Sequence, residues 1–407
     1  MTEGPEAVRR KQIHAFAASF MGWTLDAYGF FAVVFLVGTL SSAFHVGKAL
    51  IVATLTAMLA ARPVGALVFG LLTDVYGRKA VLMLNVGYFI LMEMLLGFSW
   101  NYRAFIIIGA IYGMGFGGMW GVGASLSMEA IPRRWRGLLS GVLQSGYSVG
   151  YIIAALAARF VLPKLGWRWM FWLGAVLGLI TLMVSFGAAE SEAWKQNRAP
   201  NTMAVLRVVG QQWKQFLYLV FMMAFMMFLS HGSQDLYPDF LRSTHGVSNA
   251  MVAYIAILFN IGAIFGAVLF GGLSQRVGRR FAMIGALLLS IAVIHWWAFG
   301  GSLALLATGA FLMQVGVQGA WGVIPAHLTE MSHDATRGLV PGLAYQLGIL
   351  LAAPTPMIEF ALRNRYGYHW ALAGFMIATI AVLVLTLSFG HERRGRSFVR
   401  TAETEAL

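Results

Sequence analysis

A short polar run at residues 230–235 interrupts an otherwise apolar stretch of the sequence and places five hydrogen-bonding side chains within six positions. His231 and Asp235 are spaced so that they share one face of a helix, with Gln234 beside them. A carboxylate next to an imidazole stabilises the imidazolium, so such a pair can take up and release a proton near neutral pH. A single histidine in an apolar helix is often a packing residue. A cluster of this density indicates instead a site that binds a substrate or a proton.

Two more charged residues, Asp26 and Arg62, lie inside apolar stretches. If those stretches cross a membrane, an ionised side chain there costs about 2.5–3.5 kcal/mol on insertion scales, so each should face a cavity or an opposite charge. One interpretation is a fixed Asp26–Arg62 ion pair that joins two helices. The other is that Arg62 binds an anionic substrate, or that Asp26 exchanges a proton.

Two amides, Gln314 and Gln318, lie one helical turn apart in a third apolar stretch and need hydrogen-bond partners there. Contact with substrate or water and bonding between helices explain them equally well. Aromatic candidates for the same site are Tyr28 and Trp321. The predicted substrate-binding residues are therefore Arg62, His231, Gln234, Gln314, Gln318, Trp321 and Tyr28, and the predicted proton-exchanging residues are Asp26, His231 and Asp235.

The elements that carry these residues are predicted to be membrane spans. The 407 residues are 59% hydrophobic and 11% charged, with a mean hydropathy of +0.73, which is too few charges for the surface of a soluble protein. Apolar runs of about 18–25 residues recur, each long enough to cross a hydrocarbon layer of about 30 Å as a helix. Twelve spans are predicted, at residues 14–40, 48–72, 80–99, 103–128, 138–162, 168–188, 214–240, 248–273, 281–300, 302–328, 339–362 and 369–390. The first run is too long for a cleaved secretory signal.

The net charge of +13 is distributed in a way that is typical of membrane topology and not of nucleic-acid binding. Lysine and arginine cluster in alternate loops and at both ends, as positive-inside sorting requires. We therefore expect both termini in the cytoplasm and the spans in the cell (inner) membrane. Residues 113–118 spell a formal dinucleotide fingerprint, but they lie inside a predicted span and follow no strand, so no nucleotide site is expected. The sequence contains no cysteine, which excludes disulfides and thiolate metal sites, and no metal or cofactor is expected.

The chain repeats itself. Residues 70–79 return in part as residues 271–280, an offset of 201 positions, and Trp120 and Trp321 keep the same offset. Agreement over much of the chain indicates a duplicated membrane unit. The predicted organisation is a tail at 1–13, a six-helix bundle at 14–189, a linker at 190–213, a second six-helix bundle at 214–390 and a tail at 391–407.

Arg62 itself is not repeated. Its counterpart is Ala263, although the neighbouring Gly65 and Gly266 match. Packing demands would be similar in the two halves, so a charge that is present in only one half favours a functional role over a structural one.

The repeated turn is predicted to act as a latch. Gly70 and Gly77 permit close backbone approach, and Asp74 can accept hydrogen bonds from a neighbouring helix N-terminus or arginine. Such a latch would hold one conformation and release in another. Gln275 replaces Asp74 in the second copy, so that copy is expected to be weaker. The predicted latch residues are Gly70, Asp74, Gly77, Arg78, Lys79, Arg136 and Arg279.

The twelve spans, the six-plus-six duplication and the turn at residues 70–79 together resemble the major facilitator superfamily. This resemblance implies an all-α membrane protein in which two six-helix bundles rock about a central site. Residues 230–235, Asp26 with Tyr28, and Arg62 are similar to the sialate:proton symporter family, which includes sialic acid transporters and lactate and pyruvate permeases. The resemblance implies proton-coupled uptake of a small organic anion, either a monocarboxylate such as lactate or pyruvate, or sialic acid. We expect a monomer in the bilayer.

Two other functions stay open. A uniporter or proton-coupled exporter of a neutral or aromatic compound would use Trp120, Trp321 and Tyr147 for stacking. A transporter-like sensor would bind its ligand without moving it. An enzyme is not expected, because the sequence shows no metal-ligand spacing, no nucleophile motif and no soluble domain.

Four expectations concern the rest of the chain. The N-terminal tail up to Ile13 is polar and is expected to be disordered. The linker is expected to carry a short interfacial helix near residues 205–213. Glu93 and Glu359 are expected to reach interfacial water. The C-terminal tail from His391 is expected to be unfolded.

Overall fold

A computed structural model describes residues 4–399 of the chain. Twelve helices in this range are long and apolar enough to cross a membrane, and no strand occurs there. We name these spans α1 to α12 in order: Pro5–Ala43, Lys48–Tyr76, Arg78–Gly97, Tyr102–Ala130, Arg133–Phe160, Arg168–Phe186, Trp213–His245, Asn249–Val277, Arg279–Phe299, Leu303–Met331, Val340–Tyr366 and Tyr368–Phe389. The predicted twelve-helix membrane fold is confirmed. An even number of crossings leaves both described ends on one side, here called the terminal side.

The spans form two bundles, α1–α6 and α7–α12, with the same packing in each. α1 packs on α5, α2 on α4 and α3 on α6, just as α7 packs on α11, α8 on α10 and α9 on α12. Between the bundles, α5 lies against α8 and α10, and α11 lies against α2 and α4. The turns after α2 and α8 match as well, since Gly77 and Gly278 have φ angles of 116° and 105°, which favour glycine. The three-dimensional repeat therefore follows the sequence repeat.

Two spans are interrupted. α7 consists of Trp213–Gln234 and Tyr237–His245, and α11 consists of Val340–Ala352 and Thr355–Tyr366. Pro354 lies at the break in α11, where a proline cannot donate the next helical hydrogen bond. Non-helical backbone at membrane depth is tolerated where it is buried in protein or lines a cavity. The two breaks therefore point to a cavity beside α7 and α11.

Glycines on α4 let it approach α2 to backbone contact. A Cβ at Gly113 would lie 2.7 Å from the Cα of Met58, and a Cβ at Gly117 would lie 2.7 Å from the carbonyl carbon of Arg62. Small residues are what such close helix contacts require. The packing of α4 therefore fixes the position of Arg62 in the membrane.

The N-terminal tail is more ordered than expected. α1 begins at Pro5, so the expectation of disorder up to Ile13 is wrong for the described residues. Proline in the first turn and Glu6 at the positive end of the helix dipole favour an early helix start. The linker holds two short helices, Glu192–Asn197 and Thr202–Gln211, and the second overlaps the predicted interfacial helix.

The C-terminal tail is also ordered up to residue 399, so the expectation of an unfolded tail is wrong there; residues 400–407 lie outside the described part. The ring of Phe398 is 5% exposed and lies between the guanidinium groups of Arg136 and Arg337, each 3.9 Å from its centroid. Arg136 also donates to the carbonyl of Arg396 at 3.0 Å. Because Arg136 and Arg337 belong to different bundles, the tail joins both on the terminal side.

Replacing Phe398 with alanine should release this tail. Each cation–π contact contributes about 0.5–2 kcal/mol, so losing both should speed tryptic cleavage at Arg393 and Arg394 by about tenfold or more. The rate is measured by limited digestion of the detergent-solubilised protein, with mass spectrometry of the released peptide. Ser397→Ala is the matched control, since it removes only a hydroxyl that donates to Val399 within the tail. Equal cleavage rates in the two variants would contradict docking through the ring.

Candidate functional site

A cavity of about 700 Å³ lies between the two bundles. Its walls come from α1, α2 and α5 of the first bundle and from α7, α8, α10 and α11 of the second. Six of the predicted substrate-binding residues line it, namely Arg62, His231, Gln234, Gln314, Gln318 and Trp321. The lining residues lie at mid-helix or toward the side opposite the chain ends, so the cavity opens on that opposite side.

Arg62 is the one lysine or arginine among the described residues that line the cavity. Its Nη2 lies 3.6 Å from Asp26 Oδ1, and the two side chains are 4% and 0% exposed. This is an ion pair without a hydrogen bond, since neither carboxylate oxygen of Asp26 has a hydrogen-bond partner within residues 4–399. The guanidinium also lies over the rings of Phe30 and Phe116, 5.4 and 4.8 Å from their centroids, an arrangement that favours a cation. Arg62 can therefore donate hydrogen bonds into the cavity while Asp26 balances its charge from behind.

Hydrogen bonds join α7 to α10 on the opposite wall. Gln234 Nε2 donates to Gln314 Oε1 at 3.0 Å, and Gln314 Nε2 donates to Ser233 Oγ at 3.1 Å. Gln318 Nε2 lies 3.5 Å from Ser230 Oγ. The two explanations for the buried amides are thus compatible, because these side chains bond between helices and also line the cavity.

His231 and Asp235 make the contact that their spacing predicts. His231 Nδ1 lies 3.0 Å from Asp235 Oδ2, and the side chains are 38% and 37% exposed. Both line the cavity. Because they are partly exposed, protons can reach them directly from water.

Aromatic rings close the cavity toward the terminal side. Tyr345 of α11 stacks on Trp120 at a centroid distance of 4.6 Å and meets Trp321 at 5.6 Å and Trp23 at 6.1 Å. The two symmetry-related indoles differ in one respect. Trp120 Nε1 donates to Gln144 at 3.2 Å, whereas Trp321 Nε1 is buried and has no hydrogen-bond partner among the residues that the structure describes. The Trp321 N–H is therefore available to a ligand.

Sequence reasoning missed Tyr345. At the repeat offset its counterpart is Gln144, the residue that satisfies the indole of Trp120. A tyrosine in place of that glutamine leaves the indole of Trp321 without an acceptor. This difference between the two halves was the signal that could have found Tyr345.

Tyr28 lies outside the cavity. It is 0% exposed, and its hydroxyl donates to the Met170 carbonyl at 2.5 Å. Phe30 and Phe31 line the cavity instead. Successive helical residues point about 100° apart, so closeness to Asp26 in sequence does not decide which ring faces the site. Tyr28 packs α1 against α6, and the proposed binding set below omits it.

Glu93 and Glu359 do not reach interfacial water, so that expectation is wrong. Each is 1% exposed. Glu93 Oε1 accepts a hydrogen bond from Tyr112 at 2.6 Å, and in the described part of the chain the oxygens of Glu359 have no hydrogen-bond partner. Both side chains point toward neighbouring helices. The rotation of a helix about its axis cannot be predicted from a single acidic residue in a short span.

Polar contacts join the bundles on the terminal side. Asp74 accepts hydrogen bonds from the backbone N–H groups of Gly338 and Leu339, at 2.7 and 3.0 Å, just before α11 begins. Its counterpart Gln275 accepts from the N–H of Gly137 at 3.1 Å. The second copy therefore has one such hydrogen bond where the first has two.

Two matching clusters of one glutamate and two arginines reinforce this closure: Glu129 with Arg78 and Arg337, and Glu330 with Arg279 and Arg136. Glu129 lies 3.2 Å from Arg78 of its own bundle and 3.0 Å from Arg337 of the other. All of these side chains are nearly inaccessible to water. Such buried pairs favour the closed arrangement, because a charge that loses its partner must be compensated by water or by another group.

The remaining predicted latch residues lie beside these clusters. Gly70 faces Leu339, whose Cα would lie 2.8 Å from an added Cβ. Lys79 stays within its own bundle, where its backbone N–H donates to Glu190 at 3.1 Å and its Nζ donates to the Phe186 carbonyl at 2.9 Å. Lys79 therefore does not join the bundles.

A duplicated twelve-helix fold, with a central cavity open on one side and closed on the other, defines a membrane transporter. Comparison with protein families agrees. The Major Facilitator Superfamily model matches residues 15–238, and the Sugar (and other) transporter model matches residues 205–389. The chain belongs to the Major Facilitator Superfamily.

Several relatives cover most of the chain. The carboxylic acid transporter protein homolog of Saccharomyces cerevisiae is 28% identical over 92% of the chain, which spans 65% of that protein. The probable 4-methylmuconolactone transporter of Cupriavidus pinatubonensis is 28% identical, covering 97% of the chain and 94% of its own length. The sialic acid transporter NanX of Escherichia coli is 25% identical, with coverages of 94% and 95%. The predicted resemblance to transporters of sialic acid and other carboxylic acids within this superfamily is confirmed.

A solved structure of the proton:xylose symporter XylE bound to 6-bromo-6-deoxy-D-glucose superposes with a TM-score of 0.76 at 17% identity, covering 97% of this chain and 98% of that chain. The human organic anion transporter MFSD10 superposes with a TM-score of 0.74 at 16% identity, covering 95% and 100%. At these identities the likeness shows a shared fold alone.

Proposed function

We propose that this protein takes up a small organic anion that carries a carboxylate, together with protons, by alternating access. The observation that carries the proposal is Arg62, the cation in the cavity wall, with Asp26 behind it at 3.6 Å. A planar guanidinium binds a carboxylate through two parallel hydrogen bonds. Relatives named as transporters of carboxylic acid, sialic acid, cis,cis-muconate and 4-hydroxybenzoate support the same chemistry.

The Arg62–Asp26 pair also supplies a reason for proton coupling. When a substrate carboxylate takes Arg62, Asp26 is left buried without a cation. An uncompensated buried charge is destabilising by about 3–5 kcal/mol, so Asp26 then binds a proton. The loaded carrier holds a neutral substrate–Arg62 pair and a neutral Asp26, and the empty carrier holds a neutral Asp26–Arg62 pair. Both forms can change conformation without moving a bare charge through the membrane interior.

The His231–Asp235 pair is the second candidate for proton exchange. It lies on the cavity wall and is partly exposed, whereas Asp26 is fully buried. In this role it would exchange protons with water while Asp26 responds to the substrate. The proposed binding set is Arg62, His231, Gln234, Gln314, Gln318 and Trp321.

The rest of the cavity favours a planar or aromatic carboxylate over a small aliphatic one. Rings of Phe30, Phe31, Tyr147 and Tyr345 line it, and its volume of about 700 Å³ is much larger than lactate needs. The amides on α7 and α10, with the Trp321 N–H, can bind a second polar group of the substrate. Lactate and pyruvate, the small monocarboxylates, and sialic acid therefore rank behind unsaturated and aromatic acids as candidate substrates.

The proposed orientation places the terminal side in the cytoplasm of a cell with the spans in its inner membrane. Basic residues cluster at the terminal side, including Arg9, Arg10 and Lys11 before the first apolar run and Arg393 and Arg394 after the last. In this orientation the cavity faces outward and the closed terminal side is the inner gate. The conformation is then ready to receive substrate from outside. A monomer contains the complete cavity.

Purified protein in proteoliposomes tests the proposal. An inward proton gradient should drive accumulation of at least one labelled acid from a panel of 4-hydroxybenzoate, cis,cis-muconate, nicotinate, sialate and lactate, and a protonophore should abolish it. Equilibration without accumulation would indicate a uniporter, the alternative that the aromatic lining favours. Accumulation only with the reverse gradient would indicate an exporter. Binding of a panel member without flux would indicate a sensor.

Trp321→Phe should weaken substrate binding by up to about tenfold, because one hydrogen bond contributes about 0.5–1.5 kcal/mol. The change keeps the aromatic ring and removes only the N–H. Trp120→Phe is the matched control, since that indole donates to Gln144 and does not line the cavity. Initial uptake rates against substrate concentration give KM for each. A similar rise in KM for both would argue against a substrate contact at Trp321.

A further inference from the structure

Glu93 of α3 is a buried acid that the mechanism above does not use. It is 1% exposed. Oε1 accepts a hydrogen bond from the Tyr112 hydroxyl at 2.6 Å, and Oε2 is buried with no hydrogen-bond partner in the described part of the chain. An ionised carboxylate in such a place is strongly unfavourable unless a cation accompanies it.

The first bundle is built around this carboxyl group. A Cβ at Gly29 of α1 would lie 3.0 Å from Glu93 Oε1. A Cβ at Gly174 of α6 would overlap the carboxyl itself. Two glycines therefore leave the space that the acid occupies between α1, α4 and α6. A space of this shape indicates a specific place for a carboxyl group and not an acid tolerated by chance.

The ionisable groups around Glu93 are few. Tyr28 of α1 and Tyr112 of α4 lie within electrostatic reach of Glu93, and Asp26 of α1 lies within electrostatic reach of Tyr112. From α2 the charged group of this region is Arg62, which is paired with Asp26. Among the described residues, this mid-membrane region of the bundle thus holds two acids, Asp26 and Glu93, and one cation, Arg62. With Arg62 and Asp26 paired, the neutral form of Glu93 keeps the interior uncharged, so Glu93 holds a proton in this conformation.

Tyr112 connects the two acids. It donates to Glu93, and it lies within electrostatic reach of both Glu93 and Asp26. A phenol can accept a proton on its oxygen while releasing its own. Tyr112 is therefore suited to pass a proton between the two carboxyl groups.

We infer that Glu93 is a second proton-binding site and that it supplies Asp26 through Tyr112 when substrate takes Arg62. The inference rests on the proposed function, because it assigns the source of the proton that Asp26 receives. In the transfer the O–H bond of Glu93 breaks and the Tyr112 oxygen accepts that proton. The original Tyr112 proton forms the new O–H bond on Asp26. Glu93 is left as a carboxylate and regains a proton from water before the loaded carrier changes conformation, so that no uncompensated charge crosses the membrane interior.

Glu93→Gln tests the role in transport, because glutamine keeps the size and polarity of the neutral acid but cannot release a proton. Proton-driven accumulation and the exchange of labelled for unlabelled substrate across the membrane should both fall by about tenfold or more, because the loaded carrier cannot change conformation while Asp26 lacks its proton. Glu359→Gln is the matched control, an acid equally buried but in the second bundle. Normal accumulation by Glu93→Gln, or equal loss in both variants, would overturn the inference.

Infrared difference spectroscopy of the purified protein gives a readout that needs no transport. The parent should show a protonated-carboxyl band that changes when substrate binds, and Glu93→Gln should lack it. If that variant fails to fold, Tyr112→Phe should keep the band and shift its frequency, since the carbonyl loses its hydrogen bond. A substrate-induced band that is unchanged in both variants would overturn the Glu93 inference and leave the proposed uptake function standing. Failure of the parent to accumulate any acid would instead remove the proposed function.

Discussion

Arg62→Ala is expected to abolish proton-driven accumulation of substrate, with uptake efficiency falling about 150- to 5,000-fold. The magnitude follows from the loss of a buried ionic partner, worth about 3–5 kcal/mol, in a site where a carboxylate would bind. Initial uptake rates in proteoliposomes measure the effect. Insertion and folding are checked by monodispersity and by the recovered yield of purified protein.

The double variant Arg62→Ala with Asp26→Asn separates binding from stability. It removes both charges, so the bundle interior has no uncompensated acid at that site and should regain thermal stability. Transport should stay abolished, because the substrate carboxylate still lacks its cation. Near-normal uptake by either variant would remove Arg62 from the binding site and with it the central observation of the proposed function.

Glu129→Gln combined with Glu330→Gln should open the terminal side. Each glutamate holds an arginine of the other bundle at 3.0 Å, and a neutral amide loses the charge that favours these contacts. We expect the conformational equilibrium to shift by at least about tenfold toward the state in which the cavity faces the terminal side. Breaking buried pairs of this kind typically has an effect of about 3–5 kcal/mol, which exceeds the shift required.

The cysteine-free sequence makes this shift measurable with single reporters. Ser148→Cys reports on the cavity, and Ser140→Cys reports on the closed interface, where the hydroxyl donates to the Gly322 carbonyl at 2.7 Å. An impermeant thiol reagent should label the Ser140→Cys protein faster, and the Ser148→Cys protein more slowly, once both glutamates are replaced. Glu192→Gln, which breaks an exposed pair with Lys195, is the control and should leave both rates unchanged. Unchanged rates in the double variant would show that the clusters do not hold the closed state.

Much of the fold follows from two signals in the sequence. Apolar runs give the number of spans because a helix must be long enough to cross the bilayer, and the 201-residue offset gives their arrangement in two matching bundles. The docked tail could not be predicted in this way. Phe398 is one aromatic residue in a basic segment, and its position between Arg136 and Arg337 depends on how the two bundles meet.

The sequence identified those site residues whose polarity is unusual for a membrane helix. It did not identify residues for which only the rotation of the helix decides whether the side chain faces the cavity. Arg62 and the polar run of α7 stand out because a charged or polar side chain in lipid needs a reason. Tyr28 is an ordinary residue for a membrane helix, and only the packing shows that it faces α6. Tyr345 is equally ordinary by residue type, and its one signal in the sequence is that it replaces Gln144 at the repeat offset. The same limit applies to Glu93, whose burial depends on glycines in two other helices.

Each glutamate cluster contains one arginine from the same bundle as its glutamate and one arginine from the other bundle. This arrangement determines what happens when the two bundles separate. Glu129 keeps Arg78, and Glu330 keeps Arg279, because each of these partners travels with its own glutamate. Neither glutamate is left unpaired when the interface opens. The arginines that are released, Arg136 and Arg337, become hydrated by water that enters the interface. Separation therefore replaces the arginine–glutamate contacts between the bundles with arginine–water contacts and leaves no glutamate unpaired. For this reason the opening step is readily reversible.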